Sequence, residues 1–234
     1  MTARAADLHQ APDYGRAFAL WRAACPADWA RYMRHPFVEG LRDGSLPQTH
    51  FLHYLVQDYL YLIHYGRAWA LGVVKAQTVE EMRACAATVH ALIVEETALH
   101  LRLCADAGID LVAMQATPER RENLAYTRYV LEAGYSGDFL DLMAALAPCV
   151  FGYGEIGARL LAEAGDTPYR PWIETYGGAE YQAVCRTVGA LLDQALELRL
   201  GPDWHSLPRA GQLAERFTMA TRLEGDFWQM GMEP

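Results

Sequence analysis

The chain has 234 residues, 52% of them hydrophobic, and a formal net charge of −9 at pH 7. That length and apolar content suffice for one domain over 1–234 with a substantial core, and the negative charge argues against nucleic acid, whose phosphates need Lys/Arg surfaces. No apolar run reaches the roughly 18–20 residues of a membrane span, and the start, Met1-Thr-Ala-Arg-Ala-Ala-Asp7, has no apolar signal core, so a soluble, cytoplasmic protein with no membrane partner is expected.

Nearly every segment carries helical periodicity, and none alternates as a strand would. The first eleven residues are expected to be loose. A helix is predicted from about Asp13, interrupted near Pro26, followed by a short one over His35–Leu41 that stops at Asp43-Gly44. Pro47 suits a first helical turn and opens a long helix to about Ala76. Thr78-Val-Glu-Glu81 has the hydroxyl and carboxylate spacing of a capping box and starts a helix to about Ala107, before Gly108. Thr117-Pro118-Glu119 opens the next, closing at Gly134, and Ser136 is a candidate cap for a helix through Cys149 to Gly165. Two more are predicted over Ala179–Leu200 and Leu207–Met230. The sum is an all-α single domain of about seven or eight helices, without repeats or linkers.

Ala145–Gly157 reads Ala-Leu-Ala-Pro-Cys-Val-Phe-Gly-Tyr-Gly-Glu-Ile-Gly and is the most informative stretch. A proline inside a helix removes one backbone hydrogen bond and clashes with the preceding turn, so Pro148 predicts a kink and a free carbonyl beside Cys149. Tyr153 follows one turn on, on the same face as the thiol. A broken helix with a phenol over a thiol reads as a pocket wall. The five cysteines (Cys25, Cys85, Cys104, Cys149, Cys185) are odd in number, scattered and without a Cys-x-x-Cys pair, which favours free thiols in a reducing compartment. Cys85, Cys104 and Cys185 fall among Ala, Val and Leu, where cysteine acts as a small apolar residue.

In Phe51–Gly66, Asp58 and Tyr61 are three apart and face the same way among apolar and aromatic neighbours. An uncompensated acid is costly there, which favours a functional acid over an exposed one. His53 and His64 read as helix-surface or hydrogen-bonded core histidines. In Thr221–Met230, Glu224 shares a face with Phe227 and Trp228. Desolvation by aromatics raises a carboxyl group's proton affinity, as a general acid near neutral pH requires. A surface glutamate above a buried Phe-Trp pair is the simpler reading of that segment alone. Glu95, Glu96 and His100 invite a metal reading, but Glu96 stands at Glu-x-x-x-His rather than the Glu-x-x-His of di-iron bundles, with no second copy. Intrahelical pairing or solvation is expected there, with no metal.

Taken in order, these segments resemble the TenA family, the thiaminase II-type aminopyrimidine aminohydrolases of haem-oxygenase-like helical fold. The resemblance covers nearly the whole chain. It rests on His35-Pro-Phe-Val-Glu-Gly-Leu-Arg-Asp-Gly-Ser-Leu-Pro47, Tyr54-Leu-Val-Gln-Asp-Tyr-Leu-Tyr61, Tyr126-Thr-Arg-Tyr129, Pro148-Cys149 with Tyr153-Gly-Glu-Ile-Gly157, Trp172 with Tyr176, and Glu224 with Phe227-Trp228. It falls in the cysteine-bearing branch. The resemblance implies Cys149 as nucleophile, Asp58 as the acid that reads a pyrimidine ring nitrogen and its amino group, and Glu224 as the proton-transferring carboxyl group. It implies Tyr61, Tyr126, Tyr153, Tyr176 and Phe227 as the aromatic cage. The segment before His35 is longer than the family pattern, with Cys25-Pro26 interrupting the first helix, and Gly152 and Gly154 flank Tyr153.

The implied activity is hydrolysis of 4-amino-5-aminomethyl-2-methylpyrimidine to the hydroxymethyl pyrimidine and ammonia in thiamin salvage, with thiamin cleavage as a slower activity. No cofactor is implied, and the expected partners are a small aminopyrimidine or thiamin and further copies of the chain, a homotetramer by resemblance. A non-catalytic thiamin- or pyrimidine-binding protein is the alternative, and a haem or di-iron protein on the same scaffold, ligated by His64 or by Glu96 with His100, is a further one.

Overall fold

The computed structural model describes residues 11–234. The loose start expected for residues 1–11 therefore lies, except for Ala11, outside the described residues. Among the described residues there are twelve α-helices, one π-helical turn and one 3-10 turn, and no strand. The all-α expectation holds, and the helix count exceeds seven or eight.

The helices are α1 (Arg16–Ala24), α2 (Pro26–Met33), α3 (Pro36–Asp43), α4 (Gln48–Lys75), α5 (Val79–His90) and α6 (Thr97–Asp106). Then follow α7 (Leu111–Ala116), α8 (Arg121–Ser136), α9 (Phe139–Glu163), α10 (Arg170–Gly177), α11 (Ala179–Leu200) and α12 (Pro208–Gly231). Pro26 interrupts the first helix as expected and restarts it as α2, where a missing N–H is harmless. The unpredicted α7 and α10 have six and eight residues, too few to show a period.

Two boundaries differ for identifiable reasons. The helix predicted over Thr78–Ala107 is divided by a π turn at Ala91–Glu96. The Thr97 hydroxyl donates to the carbonyls of Leu92 and Ile93 at 2.6 and 2.7 Å, which holds the widened turn. Ser136 is not a cap. It ends α8, its hydroxyl donating to Glu132 O at 2.9 Å, and α9 is capped by Asp138, which exchanges side-chain and backbone bonds with Asp141. Gly134 lies inside α8 because the small residue admits Leu71 and Leu142 at close range.

Every residue of α9 from Phe139 to Gly157 is buried. By length and composition α9 could cross a membrane, but its most apolar stretch lies wholly inside the protein. Around it stand α4, α8, α10, α11 and α12, and one contiguous core joins them. Glycines set how close neighbours come. A Cβ on Gly152 would meet the Tyr32 ring at 2.1 Å, and one on Gly157 would meet the backbone of Tyr176 and Gly177 at 2.3–2.6 Å. The glycines around Tyr153 thus form packing seams, Gly152 for α2, Gly154 for Cys185 of α11 and Tyr14, and Gly157 for α10. The extended N-terminal segment is tied to it as well: Arg22 of α1 donates two bonds, 2.9 and 2.7 Å, to Glu155 of α9, and Trp29 Nε1 donates a third at 3.1 Å.

Gly157→Ala is expected to lower stability by about 3 kcal/mol, because the obstructing atoms are backbone and cannot turn aside. Gly211→Ala, in α12 with nothing within 4 Å of the added carbon, is expected to be neutral or to stabilise by up to about 1 kcal/mol. Urea unfolding midpoints of the two variants check the pair.

Candidate active site

The thiol sits halfway along α9. The helix continues through Pro148 rather than ending there, and the proline leaves Ala144 O without its helical donor. Nearby phenols address the same stretch of backbone: Tyr65 OH donates to Leu146 O at 2.8 Å, and Tyr32 OH reaches Pro148 O at 3.5 Å. Cys149 is 9% exposed. Burial pushes its thiol well above the ordinary range, and the nearby carboxyl groups of Glu224, Glu96 and Asp58 push it the same way whenever they are ionised. The resting sulfur is therefore a neutral thiol.

Asp58, on α4, is buried at 3% exposure, but it is not uncompensated. Its Oδ2 receives His100 Nε2 at 2.7 Å and Tyr54 OH at 3.0 Å. Tyr54 oxygen in turn lies 3.1 Å from Tyr153 OH and accepts from Trp172 Nε1 at 3.3 Å. The other ring nitrogen of His100 faces Glu96 O at 2.9 Å, a carbonyl that only accepts. Burial by itself would favour neutral imidazole, but the bond to Asp58 and the charges of Asp58 and Glu96 outweigh it and raise the His100 pKa. Nδ1 therefore carries the proton that meets Glu96 O, and the raised pKa favours a second proton on Nε2, toward Asp58. Both bonds converge on Oδ2, and among the described residues Oδ1 has no protein partner.

Glu224, on α12, is 2% exposed. Burial raises its pKa to about 8, even though Tyr126 OH donates to Oε1 at 2.8 Å and opposes the shift. Aromatic rings fill the space around these groups. Tyr61 lies 5.1 Å from Tyr126 and 5.5 Å from Phe227, and Tyr153 lies 4.8 Å from Tyr176. The Tyr61 hydroxyl is buried without a hydrogen-bond partner, an orphan polar group that a ligand would satisfy.

The eight residues predicted from sequence are brought into one buried region from five helices: Asp58 and Tyr61 from α4, Tyr126 from α8, Cys149 and Tyr153 from α9, Tyr176 from α10, Glu224 and Phe227 from α12. Two of them, Cys149 and Tyr176, line a cavity of about 610 Å³ that opens between the α5–π-turn segment and α11. The other six form the packed wall behind it. Sequence reasoning missed Glu96 and His100 as members of this region. Glu96 lines the cavity, accepting from Tyr176 OH at 2.7 Å, and His100 is fully buried. The expected intrahelical pairing is present as the bond from His100 to Glu96 O and the expected solvation at Glu95, which is exposed, but Glu96 is only half-buried and the side-chain partners of Glu96 and His100, Tyr176 and Asp58, lie outside the segment. The missed signal was the position of both on the α4-facing side of the segment, which the π turn rotates. His64 sits in a half-buried polar group with Glu119 at 3.2 Å, Arg67 and Arg128, while His53 Nε2 is buried without a partner.

A helical bundle that brings a thiol, carboxyl groups and phenols together around one cavity is an all-α protein with a candidate small-molecule site. The chain matches the TENA/THI-4/PQQC family over residues 23–234, and it belongs to that family. It is 35% identical over 217 residues to an aminopyrimidine aminohydrolase of Halalkalibacterium halodurans, covering 92% of this chain and 94% of the relative. It is 39% identical over 209 residues to an uncharacterized protein of Haemophilus influenzae, covering 88% and 94%. The crystal structure of a TenA family transcription regulator from Silicibacter sp. TM1040 superposes with a TM-score of 0.93 at 60% identity, covering 94% of this chain and 98% of that one.

The protonation of Glu224 has a stability consequence with a definite sign. Its folded pKa of about 8 lies above the ordinary 4.5, so its contribution is complete below about pH 4.5 and is lost as pH rises through 8. Glu224→Gln, which never ionises, is expected to escape that loss and to exceed the unmodified protein in stability by about 4 kcal/mol at pH 9. Thermal melts of both proteins at pH 5 and pH 9 check this; parallel curves would contradict the assignment.

Proposed function

We propose that the protein is an aminopyrimidine aminohydrolase that converts 4-amino-5-aminomethyl-2-methylpyrimidine to the 5-hydroxymethyl pyrimidine and ammonia in thiamin salvage, by covalent catalysis through Cys149. The observation that carries the reading is a buried thiol close enough to Glu224 for the two to couple, with that carboxyl group staying protonated up to about pH 8. The relatives named aminopyrimidine aminohydrolase support it.

The roles follow from the atoms. Asp58, its Oδ2 held by His100 and Tyr54, turns Oδ1 toward the ring and reads a ring nitrogen with the neighbouring amino group. Sγ forms a bond to an electron-poor ring carbon as Glu224 hands its proton to the ring nitrogen that gains charge and takes up the thiol proton. The electron pair then moves outward, and the bond from the methylene to the ammonium nitrogen breaks with its pair on departing ammonia. Water adds its oxygen to the exposed methylene, and its proton ends on the ammonia. The C–S bond breaks, the ring regains aromaticity, and the thiol and Glu224 recover their protons. Tyr61, Tyr126, Tyr153, Tyr176 and Phe227 stack on the ring and keep other water out. Five unpaired, buried cysteines support a reducing, cytoplasmic setting.

Cys149→Ser is expected to reduce ammonia release from the aminomethyl pyrimidine by at least 10³-fold with the fold intact, and Asp58→Ala to raise KM by at least tenfold. An ammonia-release assay with circular dichroism on each variant measures both. Full turnover by Cys149→Ser would remove the nucleophile, and ligand that binds but returns unchanged from the unmodified protein would favour a binding protein.

A further inference from the structure

The cavity is larger than the release of ammonia requires. At about 610 Å³ it matches a drug-sized ligand rather than one small ring and an ammonia molecule. Its inner end is Cys149 with Glu96 and Tyr176. From there it runs outward between two walls, one carrying Ala87, Thr88 and Leu92 and the other Val184, Val188 and Leu191. Both walls are apolar or carry small hydroxyls. Glu95 and Glu180 stand on the lining with Arg102 as the one cation.

Glu96 has no part in the chemistry above, yet its position is specific. The π turn delivers it, as its last residue, to the inner end of the channel. Tyr176 OH donates to Oε1 at 2.7 Å, which fixes the carboxyl group, and among the described residues Oε2 has no protein partner. Burial raises its pKa, and the only cation acting on it is His100, already bound to Asp58. A carboxyl group fixed on one oxygen, open on the other and short of a partner suits a cation entering from the channel. Asp58 and Glu224 do not line the cavity, whereas Glu96 does, so the ring end and the leaving-group end of a substrate are assigned to different acids.

We propose that Glu96 and the channel beyond it form a leaving-group subsite, in which Glu96 pairs with the positive nitrogen being expelled and the channel holds an apolar substituent on that nitrogen. The inference rests on the aminohydrolase reading and extends its substrates from primary to N-alkylated aminomethyl pyrimidines. The balance is unchanged. The C–N bond breaks with its pair on a neutral alkylamine, water supplies the hydroxyl to the methylene, and the water proton ends on the amine as alkylammonium.

Three pyrimidines test this, the 5-aminomethyl parent, its N-butyl derivative, and the neutral 5-butoxymethyl analogue. The unmodified protein is expected to release butylamine with kcat/KM within tenfold of that for ammonia from the parent. Val184→Trp, in the channel wall, is expected to lower the butylamine-to-ammonia ratio at least tenfold. For binding, calorimetry in the Cys149→Ser background keeps the ligands intact. Adding Glu96→Gln there is expected to weaken the butylaminomethyl ligand at least tenfold and the butoxymethyl ligand less than threefold. Equal losses for both ligands would mean that Glu96 only supports Tyr176, and no loss would mean it meets no cation; either overturns the subsite. Ammonia release without butylamine release overturns the subsite alone, whereas no ammonia from the parent overturns the aminohydrolase reading and the subsite with it.

Discussion

The contact between His100 Nε2 and Asp58 Oδ2, 2.7 Å long with the two side chains 0% and 4% exposed, is the interaction on which the site depends. Placing an acid in the middle of α4, among tyrosines, phenylalanine and tryptophan, is unfavourable unless something compensates the charge. The compensation comes from a helix far along the chain, and it fixes more than charge. Because His100 also bonds Glu96 O, the ion pair locks α6 and the π turn to α4. Because Tyr54 bonds the same carboxylate oxygen and meets Tyr153 and Trp172, α9 and α10 are drawn into the same register. Removing either partner would leave an isolated buried charge, a loss of about 3–5 kcal/mol.

Once these groups are shut off from water, burial sets their protonation states in a useful combination. Asp58 Oδ2 accepts from both Tyr54 and His100. Glu224 has a tyrosine hydroxyl and no cation, so desolvation wins and holds a proton on it up to about pH 8. The thiol, facing carboxyl groups, stays neutral as well. A cysteine activated in advance would need a cation or a helix N-terminus beside it, and Cys149 has neither. In the proposed reaction the attack is therefore coupled to proton transfer, with Glu224 as the coupling group. The arrangement costs stability at alkaline pH, the usual relation between an active carboxyl group and its fold.

Most of the architecture could be read in the sequence because long helices announce themselves by period and by caps. Pro26, Pro47 and Thr78 each mark a start that the structure shares within a residue or so. Ser136 misled because Asp138, two residues on, has both a carboxylate and Asp141 at the right spacing, and Arg209 of α12 binds the pair. The eight site residues were legible partly from local chemistry, an acid among aromatics and a thiol after proline, and partly from the ordered family resemblance. Glu96 and His100 were misread because their partners lie outside their own helix. Tyr176 is 80 residues from Glu96, and Asp58 is 42 from His100. The π turn adds to this, since a widened turn changes which residues share a face and leaves no mark in a 3.6-residue period.

That turn also explains why the cavity and the packed wall behind it differ in construction. The wall, which reads the ring in the proposed reaction, is made of α4, α8, α9 and α12, helices that pack on one another across the core and whose site residues are all buried. Its dimensions are set by contacts such as the Gly157–Tyr176 approach, which leave no room for adjustment. The outer end is made of α5, the π turn and α11, with Ile93 and Val94 at 59% and 52% exposure and Val184 at 40%. A planar ring must be held to within a fraction of an ångström for a thiol to reach one carbon, whereas a departing group needs only a path and a matching charge. In the proposed reaction the rigid half lies where bonds are formed, and the open half where the product leaves. Glu96 joins the two, fixed by the Tyr176 phenol of α10, which packs on α9, and carried by the turn that borders the open half.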